Sequence, residues 1–184
     1  MNGTRIRLVH GPNSYDVSQW QEHWKDFAFE RDVPESESDH WDWLGKSLFV
    51  GHVGLGIEFL IVAAADRVDE RCHGLMKLVW PKGSRLASGR DVLYVDYLEI
   101  APWNRWDYRD REVRGLGFAM MVHAIGLSQE LGFEGRVALC SLPQAQAFYR
   151  KIPMSELGVG EGHDAELPYF ELDSETAQGI LKRF

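Results

Sequence analysis

Three observations predict a mixed α/β protein. β-prone runs and helical stretches alternate along the second half of the chain, as layered α/β sheets require. Two of the runs, 92–101 and 135–142, flank a helical stretch, the order of a right-handed βαβ unit with a parallel strand pair. The 184 residues are 45% hydrophobic and 12% aromatic, enough to bury a substantial core. No repeat or linker divides the chain, so one domain, 1–184, is expected.

The elements follow in order. Arg5–Val9 is a short β-prone piece ended by Gly11-Pro12-Asn13. From Val17 to Arg31 the spacing of Trp20, Trp24 and Phe27 is helical, and Val33-Pro34 stops it. The stretch 35–48 predicts a second, shorter helix, with Ser38 or Asp39 as its N-cap. Gly51, Gly54 and Gly56 break the chain before three strands: Ile57–Ala65, 73–80 and, after a loop at 81–91, 92–101. A helix is expected from Gly115 to Leu131, with Gly132 in the C-cap place. A strand at 135–142, a helix at 143–152 opened by Pro143, a strand at 167–173 and a short closing helix complete the chain.

Composition excludes several function classes. The longest apolar stretch, "IEFLIVAAA" (57–65), is far too short to span a bilayer. The N-terminus shows no basic segment leading into an apolar one, so no secretory signal is expected. Cys72 and Cys140 are too few for a disulfide framework or a zinc site. A cytoplasmic protein with reduced thiols, no metal and no membrane contact is the expectation. The net charge of −8 argues against nucleic acid as the main partner, because neutralising phosphates needs clustered Lys and Arg.

The stretch "REVRGLGFAMM" (111–121) carries the chemistry. Gly115 and Gly117 would each cost about 1 kcal/mol inside a helix, but at a first turn they let an anion approach the backbone N–H groups. A dinucleotide fingerprint fails because Met120 stands where the third glycine belongs, and a P-loop fails for want of Gly-Lys-Ser/Thr.

Arg114-Gly115-Leu116-Gly117-Phe118-Ala119 resembles the Arg/Gln-x-x-Gly-x-Gly/Ala motif of the GNAT superfamily of N-acetyltransferases. The preceding "LEIAP" (98–102) is similar to the superfamily's strand end. Ala145, Phe148, Tyr149 and Lys151 match its Ala-x-x-Phe-Tyr-x-Lys segment. The likeness covers about 15–173. It implies a central, mostly antiparallel sheet, flanked by helices, in which one parallel βαβ pair splays to admit coenzyme A. Two departures stand out: "WNRWDYRDREV" separates Pro102 from Arg114, and Pro153-Met154 replaces the usual Gly-Phe. The insertion is expected to fold Trp103, Trp106 and Tyr108 over the cofactor mouth.

The resemblance implies acetyl transfer from acetyl-coenzyme A to an amine of a small molecule or protein, within a ternary complex. The backbone of Arg114, Gly115, Leu116, Gly117, Phe118 and Ala119 would hold the diphosphate. Leu98 and Ile100 would pair with the pantetheine arm, and an N–H near Leu98 would face the thioester oxygen. Tyr149 would protonate the leaving thiolate. For the base, Asp96 ranks first and Glu99 second, with a water-mediated route also open. Three residues apart on a strand, the two carboxylates face opposite sides, and Asp96 shares its face with Tyr94 and Leu98. His123 and Cys140 read as packing residues.

Seven acidic residues, Asp26, Glu30, Asp32, Glu35, Glu37, Asp39 and Asp42, face a single Arg31 in that stretch, interleaved with Phe27, Phe29, Trp41 and Trp43. This suits either a pocket for a cationic amine or, more simply, a solvated acidic surface. A non-catalytic module that holds acyl-coenzyme A is the alternative function. A toxin-like acetylation of charged transfer RNA ranks low, for lack of a basic surface. Homodimers are common in the superfamily, and no interface is identifiable in the sequence.

Overall fold

The apolar residues of the first helical stretch recur at 17, 20, 24 and 27, and the protein uses that stripe to build a core. In the computed structural model, which describes residues 6–10, 14–48, 56–64 and 71–183, the elements are β1 (Ile6–His10), α1 (Ser14–Glu30), α2 (Trp43–Leu48), β2 (Gly56–Ala64), β3 (Cys72–Gly83), β4 (Asp91–Ile100), α3 (Leu116–Glu130), β5 (Val137–Cys140), α4 (Gln146–Lys151), β6 (Ser155–Val159), β7 (Pro168–Leu172) and α5 (Ser174–Leu181). The expected turn at Gly11-Pro12-Asn13, the breaks at Gly51 and Gly54 and most of the 66–72 connection lie outside the described residues.

The strands hydrogen-bond in the order β1-β2-β3-β4-β5-β7-β6. The expected parallel pair is present: β4 and β5 match Leu93 with Val137, Tyr94 with Ala138 and Val95 with Leu139. The pairs β1–β2, β5–β7 and β6–β7 are antiparallel. The chain falls into two compact units, one of Met1–Val53, Ile57–Lys77 and Tyr97–Met120, the other of Gly54–Gly56, Leu78–Asp96 and Met121–Phe184.

In the first unit, Val17 and Trp24 of α1 are buried with Trp43, Cys72, Leu75, Ala101 and Trp103, and Trp20 and Phe27 pack against them. Removing side chains of this size from water contributes roughly 1.5–3 kcal/mol each. The Trp24 indole still finds an acceptor, donating to the Cys72 carbonyl at 3.0 Å. Helix α2 starts later than Ser38 or Asp39. Its capping groups are Asp42, which accepts from Gly45 N–H at 3.0 Å, and Gln21 of α1, which accepts from Trp43 N–H at 2.6 Å.

In the second unit, Val137, Leu139, Phe170 and Leu172 are buried on β5 and β7, and Ala177 and Ile180 of α5 are buried as well. Asp173 caps α5 through Thr176 N–H at 2.8 Å. Strand β6 has no counterpart in the sequence reading. Four of its five residues are exposed apart from the half-buried Leu157, so it lacks the alternation that marks a strand and owes its conformation to pairing with β7. Gly132 has φ +84°, the left-handed C-cap expected of it.

Candidate active site

The glycine turn closes β4 onto α3. Arg114 and Gly115 are exposed, Leu116 opens the helix, and Ala119 N–H bonds to Gly115 O at 3.0 Å. The N–H groups ahead of that bond belong to the first turn, where a helix offers no intrahelical acceptor and the positive end of its dipole emerges. Gly115 sits at φ +76°, and a Cβ built there would meet nothing within 4 Å. The glycine is thus required by the backbone angle, and open space lies above it.

The insertion before this turn is tied off at its base. Asn104 Oδ1 accepts from Val113 N–H at 2.9 Å and Trp103 O accepts from Glu112 N–H at 3.2 Å. Asn104 Nδ2 meets His73 Nδ1 at 2.8 Å, and Trp103 Nε1 donates to the same nitrogen at 3.1 Å. The chain therefore returns to Arg114 from close to the end of β4, despite the extra residues. The three insertion aromatics do not form the expected set. Trp103 is fully buried against His23, Trp24 and Phe27, Tyr108 packs on Phe27, and Trp106 is 79% exposed. Burial of the largest apolar surface against α1 outweighs any role at a cofactor mouth for Trp103.

Beyond Val95 the β4–β5 ladder stops, while β4 runs on to Ile100. Leu98, Glu99 and Ile100 lie on that extension and are partly buried. Glu99 accepts hydrogen bonds from Ser38 Oγ at 2.8 Å and from Trp43 Nε1. Burial pushes its carboxyl up to about 7, and the Asp39 charge adds to the rise, against the lowering effect of the Trp43 and Ser38 bonds and of Arg105. Asp39 pairs with Arg105 at 3.5 Å. Ser38 thus serves a strand carboxylate 61 residues away instead of a helix end. The sequence places Trp43 among the aromatics of a possible amine pocket and Ser38 only as a helix cap. The "HWDW" aromatic interleaving was the available signal for Trp43; for Ser38 there was none.

An aromatic group lines the same side of β4. Tyr97, two residues before Glu99, meets Trp41 edge to face at 4.9 Å and Trp43 at 6.2 Å. Of the seven acidic residues from Asp26 to Asp42, all are exposed, so most of that run is a solvated surface. Arg31 instead lies 6.0 Å from the Phe27 ring.

The remaining candidates belong to the second unit. Asp96 is half-buried on β4. Tyr149 is buried on α4, with Phe148 at 5.0 Å and Phe170 at 6.0 Å between ring centroids, and burial alone raises its phenol above the usual range. It is therefore protonated at neutral pH. Cys140 is half-buried and its thiol is raised, first by desolvation, which makes it a poor nucleophile. His123 is half-buried on α3. Among the described residues no group of three or more His, Cys, Asp or Glu is placed to hold a metal ion, and no helix is long and apolar enough to cross a membrane.

No protein-family model and no curated protein matches the sequence. Solved structures do match in fold. A GNAT-family acetyltransferase from Staphylococcus aureus Mu50 aligns with a TM-score of 0.57 at 12% identity, over 92% of this chain and 99% of that one. A chain of the KacTA–DNA complex aligns at 0.58 and 12% identity, over 98% and 100%. A mutant AtaT toxin, bound to acetyl-CoA and the C-terminus of the antitoxin AtaR, aligns at 0.54 and 13% identity, over 97% and 98%. With its parallel β4–β5 pair and the glycine turn at the head of α3, the chain has the fold of the GNAT acetyltransferases.

Proposed function

We propose that the protein is an N-acetyltransferase that moves the acetyl group of acetyl-coenzyme A to an amine within a ternary complex. The observation that carries this reading is the left-handed, sterically open Gly115 at the N-terminus of α3, in register with the Arg114–Ala119 motif. Backbone N–H groups of this turn, assisted by the exposed Arg114, hold the diphosphate. The β4 extension past Val95 offers free backbone edge for the pantetheine arm at Leu98 and Ile100.

Glu99 takes the role of base. A carboxyl with a pKa near 7 can accept a proton from an ammonium group at neutral pH. Asp96, ranked first by sequence, lies half-buried on the same strand three residues earlier. The neutral amine then attacks the thioester carbonyl, an N–H near Leu98 stabilises the oxyanion, and the C–S bond breaks. Tyr149, protonated at neutral pH, supplies the proton to the thiolate, and the second proton lost by the acylated nitrogen restores its phenol. The expected partner is the amine substrate. The antitoxin complex of the AtaT neighbour and the DNA complex of the KacTA neighbour add a protein or nucleic-acid partner as a class to screen.

Calorimetric titration with acetyl-coenzyme A tests the reading. Binding in the micromolar range is expected, lost in Gly117→Glu and weakened about tenfold in Arg114→Ala, whose side chain is exposed. A folded wild type that does not bind would leave 114–119 as a plain helix start. Tyr149→Phe that binds normally but turns over slowly would separate catalysis from passive holding of the coenzyme.

A further inference from the structure

The side of β4 that carries Tyr97 and Glu99 already holds an ammonium group. Lys46 of α2 places its Nζ 3.7 Å from the Tyr97 ring centroid and 5.8 Å from that of Trp41. The two rings stand at 80° to each other, and Trp43 backs both, 6.0 Å from Trp41 and 6.2 Å from Tyr97. Trp43 also donates to Glu99, so the box and the carboxylate share a wall. Aromatic faces attract ammonium groups through their quadrupole, more strongly as water is excluded. Trp43 is fully buried and Trp41 and Tyr97 are half-buried.

We propose that the Trp41–Trp43–Tyr97 box seats the primary ammonium of the acceptor, and that Lys46 is its internal occupant, displaced when the acceptor binds. The proposal deepens the acetyl-transfer reading and rests on it for the identity of the ligand as acceptor. The ligand class follows from the occupant: a compact cation on an unbranched alkyl stem, as lysine carries. Exchange of one such cation for another leaves the charge at Tyr97 unchanged. Lys77, whose Nζ lies 5.6 Å from the same ring, stays where it is. A site filled nine-tenths of the time by its own side chain binds an outside ligand about tenfold more weakly than an empty one.

The test is a calorimetric titration with n-butylammonium chloride, without acetyl-coenzyme A, on wild type, Lys46→Met and Lys46→Gln. Both substitutions remove the charge and keep an unbranched stem. Amine binding about tenfold tighter in the variants than in wild type, and absent when Tyr97→Leu is added to Lys46→Met, is the expected result. Uncharged n-butanol should show no such gain. Unchanged or weaker amine binding in folded Lys46 variants overturns the proposal. Because the coenzyme is absent, the two readings fail separately. A protein that binds the amine as described but never binds acetyl-coenzyme A loses the transferase reading alone. One that turns over with amine affinity indifferent to Lys46 loses only the seat.

Discussion

Glu171, on β7, and Glu99, on β4, are both carboxylates folded away from bulk water, and their surroundings differ in the number of donors. Glu171 is fully buried and accepts from Ser84 Oγ, from Arg85 N–H at 2.8 Å, from Leu86 N–H at 3.3 Å and from Tyr169 OH at 3.1 Å. Glu99 accepts from Ser38 and Trp43 and has Asp39 as an unfavourable charge nearby. A carboxylate surrounded by donors organises the loop that supplies them. One with fewer donors and a like charge close by keeps its proton up to neutral pH, and so can exchange it. In this protein the first arrangement fastens the 84–86 segment to the sheet, and the second leaves Glu99 able to exchange a proton near neutral pH.

The sharpest way to break the contrast is Glu99→Gln. It should lower kcat/KM for acetyl transfer by about 10²–10⁴-fold while leaving the fold intact, measured by steady-state kinetics alongside circular dichroism. The pH profile sharpens it further. Below about 7 the Glu99 carboxyl is protonated and cannot accept a proton, so wild-type activity should rise as pH passes through that value. The rise should be absent from the residual activity of the variant. The stability linkage has the corresponding sign: between the ordinary 4.5 and about 7 the folded state binds the extra proton. Glu99 therefore makes wild-type stability fall as pH rises through that window, and Glu99→Gln should flatten the fall in denaturant melts.

Glu171→Ala should do the opposite, leaving chemistry to one side and costing stability. Four donors, one of them the hydroxyl of the buried Tyr169, lose their acceptor at once, at about 3 kcal/mol, which corresponds to a drop of roughly 6–12 °C in Tm for a chain of this size. A loss under 1 kcal/mol would mean that the 84–86 loop is held by other contacts. The smallest effect is expected at the glycine turn. Gly115→Ala has room for its methyl group, so only the positive φ is penalised, at about 1 kcal/mol. Coenzyme affinity, read by calorimetry, should be nearly unchanged if the backbone holds its angle.

Much of the fold could be read along the chain because the signals are local. The period of Trp20, Trp24 and Phe27 set out α1, and the strand–helix–strand order around α3 forecast the parallel pair that β4 and β5 form. Two failures have a common cause. Strand β6 shows no alternation because only its pairing with β7 makes it a strand. Ser38 has the composition of a helix cap, yet Asp42 and Gln21 cap α2 and Ser38 turns to Glu99.

The sequence by itself determined the turn at the head of α3, since it rests on a glycine whose left-handed angle is a local requirement. Only the tertiary structure decided that the Glu99 carboxyl is raised. The donors to Glu99 come from positions 56 and 61 residues away, and desolvation and like charge act through space rather than along the chain. The same holds for Lys46, whose place over Tyr97 depends on α2 meeting β4 and leaves no trace in the order of residues.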